Sequence, residues 1–355
     1  MRILIDVGHP AHFHLFKNFA MEMWKKGNEL LFTCREKEFE KQLLNKYGFE
    51  YTSFGKKYSS KAGKLYGLFK FDLQEIVQGF KFKPDLFLSH GSMYAAHAAF
   101  LLRKPHIAFE DTGNWEQVKL YKSFTSVILT SDIFSGDYGN KQIRYNAHHE
   151  LAYLNPKYFA PDISIYEHLK IKRDQKYALL RFVSWNATHD IGHKGLTIFE
   201  KTELINYLNS KMKVFISSES ELPAELKKYK VSISPELIHS VLYYSELFVG
   251  EGTTMAMEAA VLGTPAFYVN PLQYSNCVDM EKYNLLFSFT SSSGLIDTIN
   301  SVLKIPDLKA EWQKRRNIML ADKIDVTAFL VWFVENYPES VKVMKENPDY
   351  QFNFK

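Results

Sequence analysis

Two kinds of apolar run alternate along the chain. The first is short and nearly continuous, as in Arg2–Val7, and reads as a strand buried on both faces. The second is helically spaced: Phe13, Phe16, Ala20 and Met23 fall near one face of a helix over 11–26, which Gly27 stops. Strands at 29–34 and 49–54 flank a charged amphipathic helix at 36–47. Strands at 86–89, His106–Phe109 and 126–130 follow, with a small-residue helix at 93–102. Past the middle the pattern restarts, with strands at Tyr177–Phe182, 213–217, 232–234, Leu247–Gly250 and 264–269. Helices at 195–210, 223–228, 236–244 and 254–262 lie between them. Strands separated by helices imply βαβ units and parallel sheets. The fold class is therefore α/β, with two Rossmann-like domains and a cleft between them. Pro156 and Pro161 mark the joint, giving domains at 1–160 and 161–323, then a strongly apolar helix and tail at 324–355.

Composition adds limits. The 355 residues suffice for two domains with sizeable cores. Lys+Arg 44 against Asp+Glu 40 leaves +4, too little to imply nucleic-acid binding. Two cysteines, Cys34 and Cys277, form no disulfide framework, so a reducing, cytoplasmic setting is expected. No apolar run approaches the roughly 18 residues of a membrane span. Aromatics reach 15%, a surplus that suits cores, sugar-stacking pockets or a membrane surface.

In α/β sheets, ligands bind beyond the carboxyl ends of the strands. The loops there carry the candidate chemistry. Residues 249–265, Val-Gly-Glu-Gly-Thr-Thr-Met-Ala-Met-Glu-Ala-Ala-Val-Leu-Gly-Thr-Pro, read as strand, Gly/Thr turn, helix, stop and strand. The helix start offers unpaired N–H groups to an anion. Gly252 permits close approach, Thr253 and Thr254 add hydroxyls, and Glu258 can accept from two sugar hydroxyls. A plain strand–helix corner would look similar but for the whole pattern. Residues 8–14, Gly-His-Pro-Ala-His-Phe-His, place three histidines within six residues. His12 and His14 diverge on a helix, a poor metal set. A neutral imidazole at a helix start suits a general base, while others of the three cap the helix or pack.

At the end of strand Tyr177–Phe182 stands Arg181, and after it come Ser184, Asn186 and His189, donors suited to phosphate oxygens; a structural ion pair is the alternative for Arg181. Glu110 and Asp111 follow another strand and suit sugar hydroxyls or base chemistry; a turn with a helix cap is the alternative. Residues 56–83 gather seven lysines, with Lys64, Phe69, Lys70 and Phe80 among interleaved cations and aromatics. That mixture suits an anionic lipid surface or lipid-linked acceptor, and also a helix with one solvated face.

The segments 6–14 (Asp-Val-Gly-His-Pro-Ala-His-Phe-His), 89–93 (Ser-His-Gly-Ser-Met), 105–112, 150–153 and 258–265 resemble a bacterial and archaeal family of unknown function. That family groups with GT-B glycosyltransferases and UDP-N-acetylglucosamine 2-epimerases. The resemblance covers nearly the whole chain and implies a GT-B-like fold whose last helix crosses back to the first domain. It implies that Gly252, Thr253 and Thr254 hold a diphosphate, that Glu258 holds a ribose, and that His12, with His14 behind it, takes the acceptor proton. Glu251 departs from the family's usual small residue, and a carboxylate beside a diphosphate would repel it unless turned away. The epimerases carry an Asp in the loop matching 89–92; this chain has none there, which weighs against epimerisation.

The expected activity is inverting, metal-independent transfer from a UDP-sugar, an N-acetylhexosamine above all, in surface polysaccharide or glycolipid synthesis. Arg181 and the 252–254 turn would replace a metal at the diphosphate, so no metal or cofactor is expected. The partners expected are a nucleotide-sugar donor and a saccharide or lipid-linked acceptor, with peripheral contact at the inner face of the cytoplasmic membrane and no nucleic acid. A UDP-N-acetylglucosamine 2-epimerase and a non-catalytic nucleotide-sugar-binding protein are the rivals.

Overall fold

The computed structural model describes residues 1–36, 39–56, 58, 60–183, 195–218 and 221–355, without the side chains of 61, 62 and 64. The chain divides into two compact units: Met1–Tyr158 with Lys323–Lys355, and Phe159–Asp322.

Unit 1 begins β1 (Arg2–Val7), α1 (Pro10–Lys25), β2 (Glu29–Glu36), α2 (Glu40–Lys46), β3 (Tyr51–Lys56) and α3 (Lys61–Phe82). It continues β4 (Leu86–His90), α4 (Met93–Leu101), β5 (His106–Phe109), α5 (Trp115–Tyr121), β6 (Val127–Ser131), β7 (Gln142–Tyr145) and α6 (Leu151–Leu154). Among the described residues its strands run parallel in the order β3-β2-β1-β4-β5-β6-β7. Ile3, Leu4, Ile5 and Val7 are all fully buried, as a central strand covered on both faces requires. Helix α1 opens on Pro10, where a missing N–H costs nothing, and His9 caps it by accepting from the Ala11 N–H. Phe13, Phe16, Phe19 and Met23 bury its inner face, and Gly27, at φ 82°, lets the chain turn out of it. Strand order reverses between β1 and β4, so the carboxyl ends of these two strands border the crevice where such sheets bind ligands.

Unit 2 comprises α7 (Ile165–His168), β8 (Tyr177–Phe182), α8 (Ile198–Asn209), β9 (Lys213–Ser218), α9 (Ile238–Tyr244), β10 (Leu247–Gly250) and α10 (Thr253–Val261). It ends with β11 (Ala266–Val269), α11 (Ser275–Lys282), β12 (Leu286–Phe289), α12 (Leu295–Leu303) and α13 (Leu308–Asp322). Its described strands are parallel in the order β12-β11-β10-β8-β9, and the reversal falls between β8 and β10.

Two helices of the C-terminal segment, α14 (Val326–Glu335) and α15 (Glu339–Glu346), belong to unit 1. Phe329, Leu330, Phe333 and Val334 are buried, the Thr327 hydroxyl donates to the Ala152 carbonyl, and the Ile324 N–H donates to the Asn146 carbonyl. The expected strand at 232–234 is absent. Ile216 and Lys230 make a single bridge, and Pro235, with no N–H to give a ladder, opens a 3-10 turn instead. Strands β7 and β12, four residues each, escape the hydrophobic pattern. Much of the aromatic surplus is core: Trp312, Tyr121, Tyr145, Tyr177, Tyr268 and Phe248 are fully buried. No helix among the described residues is long and apolar enough to cross a membrane.

Candidate functional site

In unit 1, Asp6 ends up buried and accepts from both Arg35 guanidinium nitrogens at 2.8 Å and from the Thr33 hydroxyl at 3.0 Å. Gly8 passes so close that a Cβ there would lie 2.7 Å from Arg35 Nη2, so any larger residue would press on this ion pair under the loop. The loop delivers His12 to the first turn of α1, where its Nδ1 accepts from the Gly8 N–H at a long 3.4 Å. In that contact Nδ1 takes the acceptor role. The His12 ring stacks on His90, the last residue of β4, with centroids 4.4 Å apart.

His90 in turn binds Asp111, which follows β5: Nε2 to Oδ1 is 3.0 Å. The second oxygen of Asp111 meets Nδ1 of His149, from the loop after β7, at 3.3 Å. Tyr145 stacks on His149, and Phe109 meets it edge-on. Burial opposes charge on His90, but the Asp111 carboxylate outweighs it and raises the imidazole above its ordinary value. Burial likewise opposes charge on Asp111, and the two imidazoles outweigh it, holding the acid well below the usual carboxylate range. Its carboxylate remains 37% exposed, so solvent can reach it. Among the described residues, His90, Asp111 and His149 bring three donor atoms of metal-ligating type within 4.8 Å of one another.

Other expected site residues lie elsewhere. Glu110 is buried and builds the turn: it accepts from the Thr112 N–H and hydroxyl, the Gly113 N–H and the Tyr121 hydroxyl. His14 packs in the core against Phe13 and Tyr153. Phe69 and Phe80 stand exposed on α3, and Lys70 reaches the Tyr58 hydroxyl at 3.2 Å. The side chain of Lys64 lies outside the described residues, as do Ser184, Asn186 and His189 entirely.

In unit 2, Arg181 near the end of β8 pairs in register with Gly250 of β10, so both border that sheet's reversal point. Its guanidinium donates to the Ser217 hydroxyl at 2.8 Å. Gly252 precedes α10 and provides no side-chain cap, the Thr253 hydroxyl donates to the Tyr268 hydroxyl, and Thr254 is exposed. Glu251 turns inward. It is almost fully buried and accepts from the N–H groups of Val183 and Leu196, with Lys201 at 3.2 Å. Its charge is thereby spent on the scaffold rather than presented at the turn. Glu258 is buried and pairs with His239 at 3.0 Å.

Both units have the parallel α/β build of GT-B proteins, and the chain shares their fold. A UDP-GlcNAc 2-epimerase from Neisseria meningitidis, solved bound to UDP-GlcNAc, matches with a TM-score of 0.68 at 14% identity, over 94% of this chain and 99% of that one. A glycosyltransferase from Streptomyces sp. SF2575 matches with a TM-score of 0.58 at 11% identity, over 95% of this chain and 100% of that one. The chain belongs to the family described as protein of unknown function DUF354, whose model matches residues 1–338. An uncharacterized protein of Methanocaldococcus jannaschii is 26% identical over 285 residues, covering 76% of this chain and 82% of that protein.

His90 and His149 were not singled out by sequence reasoning. His90 could have been found as the residue closing a strand; His149 follows β7, a strand too short to read.

Proposed function

We propose that the protein is an inverting glycosyltransferase that takes a UDP-sugar, an N-acetylhexosamine above all, and passes it to a saccharide or lipid-linked acceptor in surface polysaccharide or glycolipid synthesis. The observation that carries this reading is His12 at the reversal point of the unit 1 sheet, stacked on His90 with its Nδ1 accepting from the Gly8 N–H. Glycosyl transfer with inversion needs one base to take one hydroxyl proton, and a neutral imidazole serves at ordinary pH. The acceptor hydroxyl would displace the long Gly8 contact and donate to Nδ1. On unit 2, Arg181 and the N–H groups at Gly252–Thr254 would hold the departing diphosphate without a metal upon it, and the ribose would share Glu258 with His239. Glu110 is committed to its turn, which leaves Asp111 to touch sugar hydroxyls.

Unit 1 also has a face suited to a lipid-linked acceptor. Leu65, Tyr66, Phe69, Leu73 and Phe80 of α3 are exposed, and exposed Phe100 and Phe124 touch ring to ring beside them. Exposed Lys81, Lys83, Arg103 and Lys104 lie in the same segments, a mixture that favours an anionic membrane surface.

The closer match of the epimerase structure, 0.68 against 0.58, favours 2-epimerisation as a second reading. Incubating the protein with a panel of UDP-sugars, with and without membrane lipid extract, separates them. Transfer gives UDP only with acceptor and loses it in His12→Ala. Epimerisation gives an isomerised UDP-sugar from the donor alone. Neither product under any condition would overturn both.

A further inference from the structure

Three segments that are far apart in sequence bring His90, Asp111 and His149 together at the carboxyl edge of unit 1: His90 closes β4, Asp111 follows β5 and His149 follows β7. We infer that these three side chains form a binding site for one divalent transition-metal ion, of the zinc-to-manganese class. The inference stands apart from the transferase reading, since ion binding needs no sugar chemistry, and it departs from the metal-free expectation of the sequence.

Geometry is the first argument. Donors about 2.1 Å from a tetrahedral zinc stand about 3.4 Å from each other. Asp111 Oδ1 stands 3.0 Å from His90 Nε2, and Oδ2 stands 3.3 Å from His149 Nδ1. These two contacts are close to the spacing that an ion between the donors would impose, all three ligand atoms lie within 4.8 Å of one another, and the carboxylate can use both oxygens.

Chemistry of the donors is the second. Two imidazoles and one carboxylate suit zinc, iron, cobalt or manganese. Magnesium and calcium prefer all-oxygen sets. Three protein ligands leave coordination positions open, the pattern of reactive rather than closed structural sites.

Support around the ligands is the third. Glu110 pins the turn that carries Asp111 by accepting from Thr112, Gly113 and Tyr121, so the ligating carboxylate is held from the residue before it. Tyr145 and Phe109 wall His149 on two sides. A site whose ligands are held before the ion arrives pays little to order them. His12 stacks on His90 beside this set. An oxygen ligand taken up at an open position would lose its proton more readily, next to an imidazole able to receive it.

The test uses the full chain stripped with chelator and dialysed. Zn(II) is titrated by calorimetry, and Co(II) by its visible absorption. One equivalent of each binds if the site exists. Asp111→Asn and His149→Ala each weaken binding by about tenfold or more. His168→Ala, an exposed histidine of unit 2, leaves it intact. Circular dichroism and ion-free melting check that the variants fold. Should either not fold, the shifts that Co(II) imposes on the His90 and His149 ring protons of the wild-type chain decide the same question. No one-equivalent binding, equal binding in all variants, or unshifted His90 and His149 rings would overturn the site. Transferase activity plays no part in the readout, so either proposal can fail while the other stands.

Discussion

Glu251 offers the sharpest prediction. Its carboxylate accepts from the N–H groups of Val183 and Leu196, which border residues 184–194, and it faces Lys201, itself only 13% exposed. Glu251→Ala removes all three partners at once. Each N–H left unsatisfied in the interior costs about 1–3 kcal/mol. Losing one member of a buried ion pair costs about 3–5 kcal/mol, and Lys201 keeps some solvent access, so its share falls below that range. Relaxation and water entry shrink the total, and about 3–5 kcal/mol is expected for the substitution. Glu251→Gln retains one acceptor oxygen and should cost about half as much. Hydrogen exchange reads this locally: a loss of about 3 kcal/mol speeds exchange roughly 150-fold where reclosing is fast compared with exchange. The Val183 and Leu196 amides should therefore lose protection in the order wild type, Gln, Ala. The β1 amides of unit 1 should be unchanged. A Glu251→Ala chain that holds these two amides within threefold of wild type would refute the reasoning.

Gly8→Ala forces a Cβ to within 2.7 Å of Arg35 Nη2 and should cost about 1–3 kcal/mol, seen as a lower melting temperature; an unchanged melt would show that Arg35 can move freely. His97 is raised above its ordinary value by its hydrogen bond to Asp72, despite partial burial. Its folded value exceeds the unfolded one, so the stabilisation is fully present below about pH 6.5 and lost as pH rises through the folded value. With its side chains 23% and 20% exposed, the pair should contribute about 0.5–1 kcal/mol, so urea midpoints of wild type and Asp72→Asn should converge from pH 6 to pH 8.5; a constant gap would contradict the assignment. Phe69→Ser combined with Phe80→Ser should reduce sedimentation with anionic vesicles about tenfold or more, and equal sedimentation would rule out that face as the lipid contact.

The alternation of apolar runs made β1, α1, β8 and β10 legible, because a buried strand and a one-faced helix each impose a period on the sequence. Short strands at a sheet edge carry no such period, and β7 and β12 were missed for that reason. The site was legible by halves. Sequence shows which residues follow strands, but not which strands become neighbours. The reversal between β1 and β4 is what sets His12 against His90, 78 positions away along the chain. Glu251 was legible as an anomaly only. Its inward rotamer depends on Val183 and Leu196, which composition cannot announce. The histidine triplet of 9–14 divides its labour in space, with His9 capping, His12 facing His90 and His14 in the core.

Unit 1 is discontinuous: it needs residues 1–158 and again 323–355, while unit 2 is a single uninterrupted stretch between them. During synthesis the ribosome therefore completes unit 2 before unit 1 has received the helix that covers α1 and α6. Tyr145, whose ring meets Phe329, and the core faces of α1 and α6 under α14 must wait, partly uncovered, through the making of more than 160 further residues. Contacts bridging so long a stretch form late and slowly. The vulnerable interval in the life of this protein is thus its birth, and shortening the C-terminal helices should strand unit 1 half-built while unit 2 folds on schedule.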